Sequence, residues 1–493
     1  MRNQVLLFIN GNPYRVSGDD AFLTVSDFLR HRLKLCGTKI VCSEGDCGSC
    51  SVLCGRPSLT GSNEFHYLPI DSCIRFMFQL DGCHLVTVEG LAGNPLDTDR
   101  NPKLTDVQQF MIDCHGSQCG FCTPGFVVAM TGLLETNPRP AVADWRRGLT
   151  GNLCRCTGYD SIIQAGLQCN SHHRPSINEL YPAASMLAGL RPTLDDEILI
   201  QSNDDPTVAL TIYSPNTIDQ VTAFLAENPT AKLVAGATDL GVQFNKGLCQ
   251  PKIWLDLNRV GELTGIAINE QTIIAGARAT WTDFETLTQQ RMPQFHQIVS
   301  VFGSPQIRHV GTIGGNLINA SPIADSLPFL FVCEGELELI SRTGRRTVKI
   351  NDFYHGYKQV DLRPGELLTR IIIPLLPPQS ELRLYKVSRR KDMDISSFTA
   401  AIRLDLEGAM IKAALIAYGA VGPRVLRLAA TESFLRGQLL TEETMRQAGE
   451  IAVTEITPIT DVRGRVDYRM QLAKNVLLKF YFETRKELRP AAG

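Results

Sequence analysis

The chain has 493 residues, 44% of them hydrophobic, and a formal net charge of −2. The length exceeds one ordinary domain, and the balanced charge excludes a general nucleic-acid or acidic-membrane surface. No apolar run approaches a membrane span: the longest, such as Leu327 to Cys333, read as buried segments. No signal-peptide core precedes polar Asn10 and Gly11, so the expected location is cytoplasmic.

Residues 4 to 16 predict a hairpin, with Val5 to Ile9 and Tyr14 to Val16 flanking the Asn10-Gly11 pair favoured in tight turns. From Thr24 the spacing of Val25, Phe28, Leu29 and Leu33 predicts a capped helix. The segment 42–50, CSEGDCGSC, then places Cys42, Cys47 and Cys50 in C-x4-C-x2-C spacing, with Cys73 as a distant fourth. That is the pattern of a plant-type 2Fe-2S centre, and Gly45 and Gly48 permit the tight curl that three thiolates need. A zinc knuckle expects C-x2-C pairs. Hairpin, helix, cysteine loop and strands near Leu53 and Val86 to Val88 resemble the β-grasp ferredoxins.

Residues 90 to 170 read as helical, with Leu104 to Ile112 and Phe126 to Leu134 on apolar stripes and Thr123-Pro124 as a helix start. This part carries Cys119 and Cys122 as C-x2-C, then Cys154 and Cys156 as C-x-C. Four thiolates can close one site. Spacing alone leaves a zinc site in competition with a second cluster; a neighbouring redox centre favours the cluster, since zinc carries no electrons. Thirteen of the fifteen cysteines lie between 36 and 169. Cys36, Cys54, Cys83, Cys114, Cys169, Cys249 and Cys333 lack ligand spacing and read as small buried residues.

From 170 to about 200, His172-His173, Pro175, Pro182, Pro192 and Asp195-Asp196-Glu197 predict a surface linker. Strand and helix patterns alternate from 205 to 375, including a helix over Ile218 to Leu225. Within them, 231–241 (AKLVAGATDLG) is a strand running into a glycine-bracketed turn, and 310–322 (VGTIGGNLINASP) has the same character. Such turns present free N–H groups to an anion, and two could clamp a pyrophosphate, although glycine pairs also mark bends alone. Neither is a Rossmann fingerprint, and there is no P-loop. After Pro374, Pro377 and Pro378 come strands over Arg383 to Val387, Ala400 to Leu404 and Lys412 to Tyr418, then helices at 426–436, 441–453 and 465–484. The basic run Arg389-Arg390-Lys391 reads as a solvated turn.

The phrases QCGFCTPG, LCRCTGY, AGATDLG and TIGGNLINASPIAD, in this order, resemble the molybdenum hydroxylase family, nearest its bacterial xanthine dehydrogenase branch. The resemblance implies a multidomain α+β chain: a β-grasp 2Fe-2S ferredoxin domain (1–89), a four-helix 2Fe-2S domain (90–170), a linker (171–203), an FAD-binding domain of vanillyl-alcohol-oxidase type (204–378) and a C-terminal α+β domain of the carbon monoxide dehydrogenase flavoprotein type (379–493). It assigns Cys42, Cys47, Cys50 and Cys73 to the cluster nearer the flavin. Cys119, Cys122, Cys154 and Cys156 go to the cluster nearer molybdenum, with Gln118 and Cys156 beside the pterin.

For FAD it implies Leu233, Val234, Ala235, Gly236, Ala237, Thr238, Asp239, Leu240, Phe302, Val310, Thr312, Gly315, Asn316, Asn319, Asp325 and Leu368. Asn319 and Ser397 depart from the family's Thr and Lys. The family's molybdopterin domain would follow residue 493. The expectation is therefore an electron-transfer subunit with no catalytic side chain of its own, paired with a molybdopterin-binding large subunit in a two-plus-two heterotetramer. Electrons from hypoxanthine or xanthine would pass through two 2Fe-2S clusters and FAD to NAD. Alternatives are a relative acting on aldehydes or another N-heterocycle, and a non-catalytic iron-sulfur or zinc scaffold.

Overall fold

A computed structural model describes residues 1–58, 63–93, 104–169, 175–202 and 209–488, and forms two compact units. The first comprises 1–261 and 303–311, the second 262–302 and 312–493. The stretch expected as one FAD-binding domain thus contributes to both.

In the first unit, β1 (Val5–Ile9) and β2 (Asn12–Val16) form the expected hairpin, Asn10 and Gly11 both taking positive φ (49° and 81°). They join β3 (Ser51–Pro57), β4 (Phe65–Asp71) and β5 (His84–Val86) in a sheet ordered β2-β1-β5-β3-β4, with only β1 and β5 parallel. β4 escaped the sequence reading because Pro69 interrupts it. Proline lacks a ladder donor, and β4 tolerates it by lying at the sheet edge. Thr24 caps the next turn by accepting from Asp27 N. That helix holds α geometry for only Val25–Asp27 before widening at Phe28–Arg32.

Four helices follow, Asp106–Asp113, Thr123–Thr136, Val142–Gly148 and Asp160–Cys169. The second is apolar around nearly its whole circumference, and Phe126, Val127, Val128, Ala129 and Met130 are all buried. It is therefore the core of this helical part rather than an amphipathic surface helix. The cysteine phrases occupy the turns between helices.

Where a surface linker is expected, Ile177–Leu180 and Ala183–Leu190 are helices, corrected by their apolar content: Ile177, Ala183, Met186, Leu187 and Leu190 are buried in the same core. Ser176 caps the first of them, reciprocated by Glu179. His172 and His173 lie outside the described residues. A second sheet, β6 (Ile198–Gln201), β7 (Thr211–Ser214), β8 (Lys232–Val234) and β9 (Ile253–Asp256), has the order β6-β7-β9-β8, with β7, β9 and β8 parallel. Its βαβ crossover helix is Ile218–Glu227.

The second unit holds an antiparallel sheet of β10 (Ile266–Ile268), β11 (Thr272–Gly276), β12 (Glu336–Ser341), β13 (Gly344–Lys349) and a later strand, Leu367–Pro374, in the order β10-β11-(367–374)-β12-β13. A four-stranded antiparallel sheet follows, Ser380–Val387, Phe398–Glu407, Met410–Gly419 and Leu426–Arg427. It is packed by the helices Ala429–Leu435, Glu442–Ala452 and Val466–Leu488. All six C-terminal elements expected from the sequence are present, with shifted ends. Among the described residues no helix is long and apolar enough to cross a membrane.

Candidate functional site

The loop 42–50 has almost no regular structure of its own. Ser43, Gly45 and Gly48 take positive φ (56°, 71° and 66°), which turns the chain around its thiols. Glu44 and Asp46 N–H groups each donate to Cys42 Sγ at 3.4 Å. Hydrogen bonds from the Cys47 and Cys73 thiols, followed by these two N–H groups, hold the Cys42 thiol far below its ordinary value against the opposing effect of burial. Cys73 is pushed up by the same contacts and by Cys50. The four predicted thiols are therefore brought together, Cys50 and Cys73 buried and Cys42 and Cys47 half-buried. Cys50 Sγ also donates to Asp71 Oδ1 at 3.7 Å; burial, then the Cys42 thiolate, raises that carboxyl to about 7.

The second set gathers too. Cys156 bonds Cys119, and Cys122 bonds Cys154. Cys154 Sγ accepts from Thr157 N (3.5 Å) and Thr157 Oγ1 (3.2 Å). Cys119 and Cys156 are exposed, beside exposed Phe121, Leu153 and Tyr159. Among the described residues no three His, Cys, Asp or Glu side chains converge as a single-ion site requires; the first set stands as a run of thiol contacts, Cys47 to Cys42 to Cys73 to Cys50, and the second as two contacting pairs. Thiol pairs receiving N–H and O–H donors fit iron-sulfur ligation. The loops of the two sets are joined by hydrogen bonds from Leu153 N to Cys47 O at 3.0 Å and from Asn152 Nδ2 to Gly48 O at 3.1 Å. Of the other cysteines, Cys54, Cys83, Cys169 and Cys333 are buried as expected. Cys36 is exposed and Cys114 and Cys249 half-buried, because they lie in loops or on an outward helix end.

The turn after β8 carries Leu233, Val234, Ala235, Gly236, Ala237, Thr238, Asp239 and Leu240. Ala237 sits at φ 60°. Among the described residues, no acceptor takes the N–H of Gly236, Ala237, Thr238 or Asp239. These consecutive donors form an anion cradle. A Cβ on Gly236 would lie 2.2 Å from the Val310 carbonyl oxygen, so only glycine lets the two segments approach. The helix that follows, Leu240–Asn245, ends on Asn245, whose Nδ2 donates to the carbonyls of Cys73 (2.8 Å) and Ser43 (2.9 Å).

The second glycine turn differs from its expectation. Ile313 N donates to Ala279 O, Gly314 N to Ala277 O and Gly315 N to Thr312 Oγ1, at 3.0, 2.9 and 3.1 Å. The N–H groups of Ile313, Gly314 and Gly315 are taken up by a strand-like neighbour and by an N-cap, unlike those of the first turn.

The remaining predicted FAD residues belong to the second unit. Phe302 packs on Trp281 with ring centroids 4.9 Å apart. Asn316 Oδ1 accepts from Ser326 Oγ at 2.6 Å, and Asn319 Oδ1 from Lys358 Nζ at 3.5 Å. Leu368 is buried opposite Leu339. Asp325 is held by Lys386 Nζ and Ser396 Oγ, each at 2.5 Å. Ser397 is buried and donates to Arg463 O at 2.8 Å.

Sequence reasoning missed Lys386, which is nearly buried, and also Asn245, Arg75 and Gln79. The signal for the last two was available: one cation and one amide inside the apolar run Ile74 to Leu80, where an unpaired polar group is costly.

Comparison with known proteins accords with this geometry. Residues 87–167 match the family "[2Fe-2S] binding domain", 208–376 "FAD binding domain in molybdopterin dehydrogenase", and 383–484 "CO dehydrogenase flavoprotein C-terminal domain". The chain is similar to xanthine dehydrogenase of Drosophila pseudoobscura pseudoobscura, 28% identical over 99% of this chain and 40% of the relative. It is likewise similar to the xanthine dehydrogenase/oxidase of Mus musculus, 29% identical over 99% of this chain and 39% of the relative. It therefore spans about 40% of the length of these curated relatives. Among solved structures, a carbon monoxide dehydrogenase from Hydrogenophaga pseudoflava aligns with TM-score 0.52 and 27% identity, covering 54% of this chain and 94% of that one. Quinoline 2-oxidoreductase from Pseudomonas putida 86 aligns with TM-score 0.52 and 28% identity, covering 56% and 96%.

Proposed function

The chain belongs to the molybdenum hydroxylase family as an iron-sulfur and FAD-binding part, and we propose that it is the electron-transfer subunit of a xanthine dehydrogenase. In this reading a molybdopterin-binding large subunit oxidises hypoxanthine and xanthine to urate, the two chains assemble two plus two, and NAD receives the electrons. Cys119, Cys122, Cys154 and Cys156 hold one 2Fe-2S cluster, Cys42, Cys47, Cys50 and Cys73 the other, and the 233–240 turn takes the FAD phosphates on its N–H groups. When bound, iron-sulfur centres carry single electrons and a flavin exchanges single electrons for hydride.

The observation that carries the reading is the 3.0 Å hydrogen bond from Leu153, next to Cys154, to the carbonyl of Cys47. It joins the ligand sets without an intervening side chain. Asn245 continues the connection from Cys73 to the helix behind the glycine turn. The exposed rim of Phe121, Leu153 and Tyr159 around the second set supports a partner at that end.

The test is xanthine-dependent NAD reduction by the complex recovered from its native host through a tag on this chain, with iron, flavin and molybdenum quantified. Activity together with a large molybdenum-bearing partner is expected. Zinc without flavin would sink the reading. A complex inert to xanthine whose flavin is bleached by another N-heterocycle or an aldehyde would move the substrate and keep the electron path; the likeness to quinoline 2-oxidoreductase makes N-heterocycles the first to try. Cys42→Ala is expected to lower iron from roughly four to roughly two per chain and to abolish rapid NADH formation while substrate still reduces molybdenum.

A further inference from the structure

Two residues beyond Cys73, the Arg75 side chain is 2% exposed and reaches the glycine turn. Nη1 donates to the carbonyls of Ala235 (3.1 Å) and Gly236 (3.0 Å), and Nη2 donates to Asn258 Oδ1 (3.0 Å). Gln79 Nε2 (2.7 Å) and Asn258 Nδ2 (3.0 Å) converge on the same Ala235 carbonyl. A trans peptide points its C=O and its N–H in opposite directions. Anchoring these two carbonyls therefore aims the N–H groups of Gly236 and Ala237 away from Arg75, where no described acceptor meets them.

The charge is as informative as the geometry. A buried guanidinium is costly unless an anion compensates it. Among the described residues every hydrogen bond of Arg75 goes to a neutral oxygen, and its buried Nε has none. A guanidinium keeps its proton inside proteins, so Arg75 is cationic at neutral pH. Among the described residues the first unit thus holds a buried cation with no hydrogen bond to a carboxylate, buried Asp256 reaching it only through Asn258, immediately behind a cradle of unused N–H groups.

We propose that Arg75 is a positioning residue for the FAD diphosphate: it holds the 235–237 peptides with their N–H groups outward and places a fixed positive charge behind the anion. The inference rests on the FAD reading above and adds to it that the segment bearing the cluster ligand Cys73 also sets flavin affinity.

The test titrates FAD into the full-length protein stripped of flavin, read by quenching of flavin fluorescence, for wild type, Arg75→Met, Arg75→Lys and Gln79→Met. Methionine fills much of the space without charge or donors, and the Kd for FAD is expected to rise about thirtyfold or more, with iron content and iron-sulfur absorption unchanged. Lysine keeps the charge and should recover at least about half of that loss on a logarithmic scale. Gln79→Met removes a neutral donor to the same carbonyl and should cost less than about fivefold. FAD affinity of Arg75→Met within about threefold of wild type overturns the proposal. So does loss of the iron-sulfur spectrum in Arg75→Met without recovery by lysine, because Arg75 would then serve only the fold around Cys73. Wild-type protein that takes up no FAD at all overturns the underlying reading and this proposal with it, and is distinguished by failing before any variant is compared.

Discussion

The turns at 233–240 and 310–316 look alike in sequence, each an apolar stretch running into paired or bracketed glycines with a threonine nearby, and they are built for different purposes. In the first, a buried arginine, a glutamine and an asparagine draw the carbonyls to one side, and consecutive N–H groups are left without described acceptors. In the second, the backbone of Ala277 and Ala279 and the hydroxyl of Thr312 consume the N–H groups. Glycine there serves close backbone approach, since a Cβ on Gly314 would stand 2.5 Å from Ala277 O. Glycine spacing reports that a backbone comes near something; the destination of the N–H groups tells whether that something is a ligand or another strand.

The sharpest way to break this contrast is Gly236→Ala. Its Cβ would meet Val310 O at 2.2 Å, and the displaced turn should raise the FAD dissociation constant about a hundredfold, measured by fluorescence titration. Unchanged affinity would mean the first turn is not the phosphate cradle. Gly314→Ala should instead appear in the flavin-free protein as a loss of about 2 kcal/mol of stability, read as a lower denaturant midpoint. A variant as stable as wild type would remove the packing explanation for the second turn.

Hydrogen exchange separates the turns without mutation. Adding FAD should slow exchange of the Gly236 to Asp239 amides about tenfold or more, whereas Ile313 to Gly315 should be protected already in the flavin-free protein. Equal protection of both turns before FAD is added would contradict the distinction. The smallest effect is expected for Thr312→Ala, which removes the N-cap bond to Gly315 and should cost about 1 kcal/mol in thermal unfolding of flavin-free protein.

The cysteine sets were legible because their information is local. Three of four ligands lie within nine residues in one set, and C-x2-C and C-x-C pairs form the other, so chain geometry alone brings most of each set together. The C-terminal strands and helices were legible for a similar reason, with long runs of one period. Residues 177–190 were misread because prolines at 175, 182 and 192 dominate the pattern; helices of four and eight residues show too little periodicity to outweigh them. β4 was hidden by Pro69 until its edge position was known.

By itself, then, the sequence determined the thiol sets, the order of domains and the two glycine-rich turns, since each is written in neighbouring residues. The tertiary structure alone decided which turn keeps its N–H groups free and which cation stands behind it. The contact from Arg75 to the Ala235 carbonyl crosses 160 positions of chain. A hydrogen-bond donor is free or spent according to acceptors that folding brings from elsewhere, and no local spacing encodes where those acceptors will be.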